Sequence, residues 1–267
     1  MTEYIITLLP GSGIGSAIIY IISGLCYLKK NNINIIPIVN LYFASKPVKI
    51  FFENFIDIEN ITAVTFINSS EIKYNPKSND TSKYKELFRV KETNIIYSEI
   101  WENKFMDIYV EQIKQIWKLN SKIINECKEL NNYDICINIR RGDKITLEPY
   151  LCITNTNKYV DKIMEIGLDN PTIFHTSDDY NTLLELKTLN NNLNISSFCT
   201  TNDNGFFLSD INTKDDFYVI EHINKFIKEL YMMTNSTYFI GIKSTNVGYL
   251  ALLLRHSELK TNSIFLD

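Results

Sequence analysis

Short apolar segments alternate along most of the chain with longer segments of helical periodicity, and polar or glycine-containing turns separate them. The apolar run at residues 4–9 precedes a turn at 10–15, a helical stretch at 16–30 and a second apolar run at 33–39. This order predicts strand, loop, helix and strand, for which a right-handed βαβ unit is the expected connection. The sequence therefore predicts an α/β protein with parallel strands.

The same order restarts after a predicted helix at residues 111–130. Predicted strands at 133–139, 172–175, 195–198 and 238–242 alternate with predicted helices at 157–166, 180–189, 215–233 and 246–255. The first part adds a predicted helix at 44–55, a strand at 62–67 and a polar loop at 73–84. Since domains run to roughly 100–200 residues, the 267 residues fit two of them, which we place at 1–130 and 131–267.

Charge and cysteine usage exclude several classes of function. The 27 basic and 31 acidic residues leave a net charge of −4, with no excess of cations for binding a nucleic acid polymer. The five cysteines form no C-x-x-C pair and the three histidines lie apart, so we expect neither a disulfide framework nor a metal site. The apolar stretch at 14–28 is too short to span a membrane and lacks a preceding basic region, which favours a buried helix.

A glycine-rich turn in the first domain is suited to binding an anion. Gly13 and Gly15 lie between a predicted strand and a predicted helix, and Ser16 follows them. Glycine lets a ligand approach the backbone, and the start of a helix offers free N–H groups. The pattern is neither a complete dinucleotide fingerprint nor a P-loop, and a purely structural tight turn is the alternative.

Three further turns of this kind occur in the second domain. Arg140 and Arg141 follow an apolar strand and make a cationic turn suited to a diphosphate, unless they merely pair with Asp143 at the surface. Asp178 follows the next strand, where a helix N-cap at Ser177 or Asp178 is an equally good explanation.

The last turn contains Ser244, Thr245 and Asn246, which can cap a helix, contact a phosphate, or do both. Ligands of open α/β sheets bind at the carboxyl ends of the strands. The four turns together therefore predict an anionic ligand in a cleft between the two domains.

These motifs, in this order, resemble those of the GDP-fucose-dependent fucosyltransferases of the α1,6 type, with the related α1,2 and protein O-fucosyltransferases. The resemblance covers most of the chain and implies the GT-B arrangement, in which two Rossmann-like α/β domains face each other across a cleft. The family's hallmark, His-x-Arg-Arg-x-Asp-Lys at the end of a strand, is similar to residues 138–144, with Asn138 in place of the histidine.

The resemblance implies a role for each matched residue. Arg140 would hold the β-phosphate of GDP with support from Arg141, and Glu148, eight positions beyond Arg140, would be the catalytic base with Lys144 as its partner. Asp178 and the turn at 244–246 match two further donor-binding motifs. Glu229 stands where the family has an aspartate that reads guanine; the alternative is a solvated charge on a helix. For Glu148 the alternative is an ordinary loop carboxylate.

The resemblance thus implies an inverting transferase that moves fucose from GDP-fucose to a hydroxyl of a glycan or another acceptor, without a metal or other cofactor. Asn138 and Glu229 depart from the family pattern and leave two alternatives open, namely a different nucleotide-sugar donor and an inactive nucleotide-sugar-binding module. We expect no nucleic acid partner and no membrane span. A cytoplasmic or virus-encoded enzyme is the expected setting.

Overall fold

The computed structural model divides into two compact units, Met1–Ser121 and Lys122–Asp267. It describes residues 3–8, 13–16, 18–19, 22, 42–43, 46–47, 64–68, 84–86, 110, 113–114, 117–130, 132–147, 155–206, 211 and 213–267. The predicted strand at 33–39, the start of the glycine-rich turn and Glu148 lie outside these residues.

The first unit contains a parallel three-stranded sheet. Its central strand, β1 (Glu3–Leu8), pairs in parallel with β4 (Val64–Asn68) on one side and β5 (Tyr84–Glu86) on the other. Two short strands, β2 (Tyr42–Phe43) and β3 (Lys46–Pro47), form an antiparallel pair. The helix predicted at 44–55 is therefore wrong at Lys46–Pro47, where the proline marks an edge strand rather than a helix.

The apolar stretch near the N-terminus is helical and buried where the structure describes it. Residues 14–16, 18–19 and 22 are helical, and Ile18, Ile19 and Ile22 are almost completely buried. These isoleucines belong to a protein core, as the sequence predicted. Among the described residues, no helix combines the length and apolar character needed to cross a bilayer.

The second unit contains a five-stranded, all-parallel sheet with strand order β10-β9-β6-β7-β8. The strands are β6 (Ile135–Ile139), β7 (Thr172–Ser177), β8 (Asn194–Ser197), β9 (Tyr238–Gly241) and β10 (Ser263–Phe265). The helices are α1 (Ser121–Lys128), α2 (Asp143–Leu147), α3 (Thr156–Ile166), α4 (Tyr180–Leu189), α5 (Asp216–Asn235) and α6 (Asn246–Ser257). The helix predicted at 111–130 is interrupted, because residues 117–120 are not helical.

The strand order places a topological switch point between β6 and β9. From β6 the chain moves outward through α3 to β7 and through α4 to β8, then returns through α5 to β9 on the other side of β6. Because βαβ crossovers are right-handed in nearly all proteins, α3 and α4 cover one face and α5 and α6 the other. All five residues of β6 are accordingly buried. Ligands of doubly wound sheets bind at such a switch point, outside the carboxyl ends of the strands.

Candidate functional site

Arg140 follows β6 directly and so lies at the switch point. The backbone turns sharply at Gly142, where φ is +52° and an added Cβ would lie 2.6 Å from both the N and the O atom of Phe206. Only glycine fits this combination of positive φ and close approach. Helix α2 then begins at Asp143, so Lys144 lies on a helix.

The guanidinium of Arg140 is held between two carboxylates. One nitrogen donates to Asp143 Oδ1 at 2.5 Å, and another forms an ion pair with Asp178 Oδ2. The Arg140 side chain is only 14% exposed, so these contacts fix its orientation. The pairing with Asp143 foreseen as the structural alternative is therefore present, and it coexists with the location expected of a diphosphate site.

Arg141 is also paired within the protein. Its guanidinium donates to Glu185 Oε2 at 2.9 Å on α4 and to Thr156 Oγ1 at 3.2 Å on α3. Carboxylates of the protein thus balance the charge of both adjacent arginines. The sequence predicted a concentrated cationic turn, but the structure shows a network of ion pairs around it.

Asp178 organises this turn rather than capping a helix. Its carboxylate accepts hydrogen bonds from the Arg141 N–H at 2.8 Å and the Phe206 N–H at 3.0 Å, in addition to the ion pair with Arg140. The N-cap of α4 is instead Asp179, which accepts from the Asn181 N–H. The capping alternative for Asp178 is therefore wrong, and its side chain acts on the arginine turn.

The turn at residues 243–246 follows the strand that neighbours β6. Thr245 is the N-cap of α6, where its hydroxyl accepts from the Gly248 N–H at 3.0 Å. The N–H groups of Lys243 and Ser244 both donate to the carboxylate of Asp267, at 2.8 Å and 2.7 Å. The cap expected from sequence is confirmed, and the backbone amides beside it bind a carboxylate of the protein itself.

Asn138 is buried inside the sheet. Its Nδ2 donates to Thr176 Oγ1 at 3.0 Å on the neighbouring strand, and Thr176 donates onward to the Ile137 carbonyl at 2.9 Å. Tyr159 donates to the Asn138 carbonyl at 2.9 Å. These bonds pin the end of β6, from which Arg140 emerges.

Glu229 is buried on α5, with only 8% of its surface exposed. The alternative of a solvated charge on a helix is therefore wrong. Oε1 has no hydrogen-bond partner among the described residues. Burial raises the pKa of Glu229 to about 8, against an opposing pull from Lys225 and with a further push from Asp203. Lys225 donates to Asp203 at 3.0 Å, and its positive charge also acts on Glu229.

Two aromatic residues near Arg140 carried no signal in the sequence. The guanidinium carbon of Arg140 lies 5.7 Å from the centroid of the Phe206 ring. The ring of His222 on α5 is stacked on Phe206, with centroids 4.7 Å apart and planes at 12°. Phe206 belongs to a polar loop and His222 to an ordinary amphipathic helix, so neither pattern indicated a role at the site.

The glycine-rich turn belongs to the first unit. Gly13 has no atom within 4 Å of an added Cβ and does not have a positive φ, so at this position neither crowding nor backbone strain requires glycine. Gly15 is buried in the helix that begins at Ile14, and Ser16 is half-buried. In the part of the chain that the structure describes, no group of three His, Cys, Asp or Glu side chains is arranged to hold a metal ion.

Comparison with solved structures identifies proteins of the same fold. The chain is similar to NodZ alpha-1,6-fucosyltransferase soaked with GDP-fucose, at 14% identity and a TM-score of 0.56, covering 95% of this chain and 93% of that one. It is similar to POFUT1 in complex with GDP, at 12% identity and a TM-score of 0.56, covering 98% of each chain. A further structure, fucosyltransferase NodZ from Bradyrhizobium, matches at 13% identity and a TM-score of 0.58 over 100% of this chain and 95% of that one.

No protein-family model and no curated protein matches the sequence. The structural neighbours are nonetheless fucosyltransferases, which are glycosyltransferase enzymes. The α/β fold and the likeness to GDP-fucose-dependent fucosyltransferases are therefore confirmed at the level of the fold.

Proposed function

We propose that the chain is an inverting glycosyltransferase that transfers fucose from GDP-fucose to a hydroxyl group of a glycan or another acceptor. The observation that carries this proposal is the location of Arg140. It emerges from the central strand at the switch point of a sheet whose structural neighbours bind GDP or GDP-fucose. A guanidinium is suited to a diphosphate because its planar array of N–H donors can bind two phosphate oxygens at once.

The leaving group of the reaction is GDP, so catalysis requires stabilisation of charge that develops on its diphosphate. Arg140 supplies a fixed positive charge. The turn at Ser244 supplies backbone N–H groups, and α6, which begins two residues later at Asn246, supplies the positive end of a helix dipole. These groups do electrostatically what a metal ion does in other transferases, and the proposal includes metal independence.

The acceptor hydroxyl must lose a proton as it attacks the sugar, which calls for a general base. We assign this role to Glu148, which follows α2 and lies outside the described residues, with Lys144 on α2 as its partner. Gly13, Gly15 and Ser16 of the first domain remain proposed donor-binding residues, as do Asn138, Arg141, Asp178, Thr245 and Asn246 of the second. The proposal keeps the GT-B arrangement of domains 1–130 and 131–267.

Glu229 is the proposed reader of the guanine base. Guanine presents N1–H and N2–H side by side, and an ionised carboxylate accepts from both. The buried Oε1 atom, which has no hydrogen-bond partner among the described residues, supports an acceptor role. Because burial raises the pKa of Glu229 to about 8, the carboxyl is protonated near pH 7 in the free protein, and binding of guanine would have to release that proton, a release that the charge of Lys225 favours.

Calorimetric titration with GDP, GDP-fucose and sugar nucleotides of other bases tests the donor assignment. We expect GDP and GDP-fucose to bind, and Arg140→Ala to weaken GDP by about ten- to a hundredfold, since hydrogen bonds to charged groups contribute about 1.5–3 kcal/mol. Lys228→Ala is the matched control, because Lys228 is paired with Glu126 on α1. Binding of another nucleotide sugar without GDP-fucose would refute the donor, and unchanged GDP affinity in Arg140→Ala would refute the arginine assignment.

One observation favours the second candidate, an inactive nucleotide-sugar-binding module: both arginines are already paired with carboxylates. Release of free fucose from GDP-fucose in the absence of acceptor separates the two candidates. A transferase hydrolyses its donor slowly, and Glu148→Gln then lowers transfer to acceptor while GDP affinity stays unchanged. A binding module releases no sugar.

A further inference from the structure

Phe206 contacts Arg140 and both residues whose carboxylates pair with Arg140. Its ring lies beneath the guanidinium, with the guanidinium carbon 5.7 Å from the ring centroid. Its N–H donates to Asp178 Oδ2 at 3.0 Å, and its carbonyl accepts from the Asp143 N–H at 3.1 Å. One residue of a distant loop therefore touches every member of the ion-pair cluster that holds the guanidinium.

The loop that carries Phe206 is docked on this cluster through its backbone. The Gly205 N–H donates to the Asp178 carbonyl at 2.8 Å, and the Tyr180 N–H donates to the Asp203 carbonyl at 2.8 Å. The close approach of Phe206 to Gly142 leaves no room for a side chain there. These contacts determine where the Phe206 backbone lies, but they leave the ring itself to be oriented by its neighbours.

His222 provides that orientation. Its ring is nearly parallel to that of Phe206, at 12° and 4.7 Å between centroids, and the ring of Tyr218 is in turn nearly parallel to His222 at 6.4 Å. Burial, together with the positive charges of Lys225 and Arg140, lowers the pKa of His222 to about 4, against the opposing effect of Asp203. His222 is therefore neutral near pH 7 and adds no positive charge beside the guanidinium.

We propose that Phe206, supported by His222, is a positioning residue for Arg140, and that it keeps the guanidinium in the orientation that meets the donor's diphosphate. This inference rests on the proposed function. An aromatic face attracts a guanidinium by cation–π interaction and restricts its rotation. The two carboxylates neutralise the guanidinium but also compete with a diphosphate for its N–H groups. The aromatic face holds the guanidinium without occupying those donors.

The test is a double-mutant cycle on GDP and guanosine affinity, measured by calorimetry. Phe206→Leu removes the aromatic face, and we expect GDP to bind about tenfold more weakly while guanosine, which lacks phosphates, binds as it does to the wild type. In the Arg140→Ala background the same substitution should change GDP affinity less than twofold. Phe206→Tyr keeps the aromatic face and should restore GDP affinity to within about twofold of the wild type.

A second pair of variants changes His222, which stacks on the Phe206 ring, and tests the same inference if Phe206→Leu does not fold. His222→Phe preserves the stack, whereas His222→Ala removes it, so only the alanine variant should weaken GDP binding relative to guanosine. A tenfold loss from Phe206→Leu that persists in Arg140→Ala shows that Phe206 acts only by packing, and overturns the inference alone. A wild-type protein that does not bind GDP overturns the proposed function and this inference with it.

Discussion

The buried carboxyl of Glu229 makes the stability of the second unit depend on pH in an unusual direction. Its pKa rises from an ordinary 4.5 to about 8 in the folded protein, with burial as the main cause. Between these two values the unfolded chain has lost the proton while the folded chain retains it. The fold therefore loses stability as the pH rises through this window, by about 1.4 kcal/mol per pH unit.

Glu229→Gln removes the titration while keeping the shape of the side chain. From pH 5.5 to pH 7.5 the wild type should lose about 3 kcal/mol of unfolding free energy through this titration, and the variant should not. The difference in unfolding free energy between variant and wild type should therefore grow by that amount over this range. Amide hydrogen exchange of β6, the central strand of the second sheet, reports this free energy for the unit that contains Glu229. At each pH the intrinsic exchange rate of an amide is the same in both proteins and cancels from the comparison.

Glu126→Gln is the matched control for this measurement. A hydrogen bond from Lys228 lowers the pKa of Glu126 against a small opposing effect of burial. Glu126 is therefore ionised in both the folded and the unfolded state above pH 5.5, so its variant should differ from the wild type by a constant amount. An equally constant difference for Glu229→Gln would show that Glu229 titrates normally and would refute the reasoning.

Two further predictions concern groups that bind the backbone. Arg255 is fully buried, and its guanidinium donates to the backbone carbonyls of Met233, Ser236, Thr237 and Asn262. Arg255→Met leaves these carbonyls without a donor, and each buried carbonyl that lacks a hydrogen bond costs about 1–3 kcal/mol. The variant should therefore lower the unfolding free energy by at least about 3 kcal/mol. Urea unfolding checks this, and a loss below 1 kcal/mol would contradict it. Asp267 occupies the Lys243 and Ser244 N–H groups that the proposed function assigns to a phosphate, so Asp267→Ala should strengthen GDP binding several-fold without changing guanosine binding. Unchanged or weaker GDP binding in calorimetry would show that the phosphate does not use these amides.

The regular elements of the second unit could be predicted from sequence because their signals are local. Helix α4 has the predicted bounds, and the predicted strands fall on β6 to β9. Two elements were missed for equally local reasons. Helix α2 begins one residue after a glycine with positive φ, so a turn signal masked a helix start. Strand β10 has only three residues and no flanking pattern.

The electrostatics of the site could not be predicted, because the partners are distant in sequence. Asp178 accepts a hydrogen bond from the backbone N–H of Arg141, which lies 37 positions earlier in the sequence. Glu185 accepts from the guanidinium of the same arginine across 44 positions. The sequence shows two adjacent arginines and predicts a net positive turn. Only the fold brings carboxylates from the end of β7 and from α4 to the same place.

This balance of charge determines how a nucleotide diphosphate would have to bind. In the second unit, Arg140 already contacts Asp143 and Asp178, and the Ser244 amide already contacts Asp267. Binding would then exchange one anion for another, so affinity depends on the difference between two charge-assisted contacts rather than on the strength of one. Asp178 also accepts two backbone N–H groups and is largely buried, whereas Asp267 is exposed. Asp267 is therefore the carboxylate whose displacement costs least, and the phosphate is expected to enter beside α6 before it reaches Arg140.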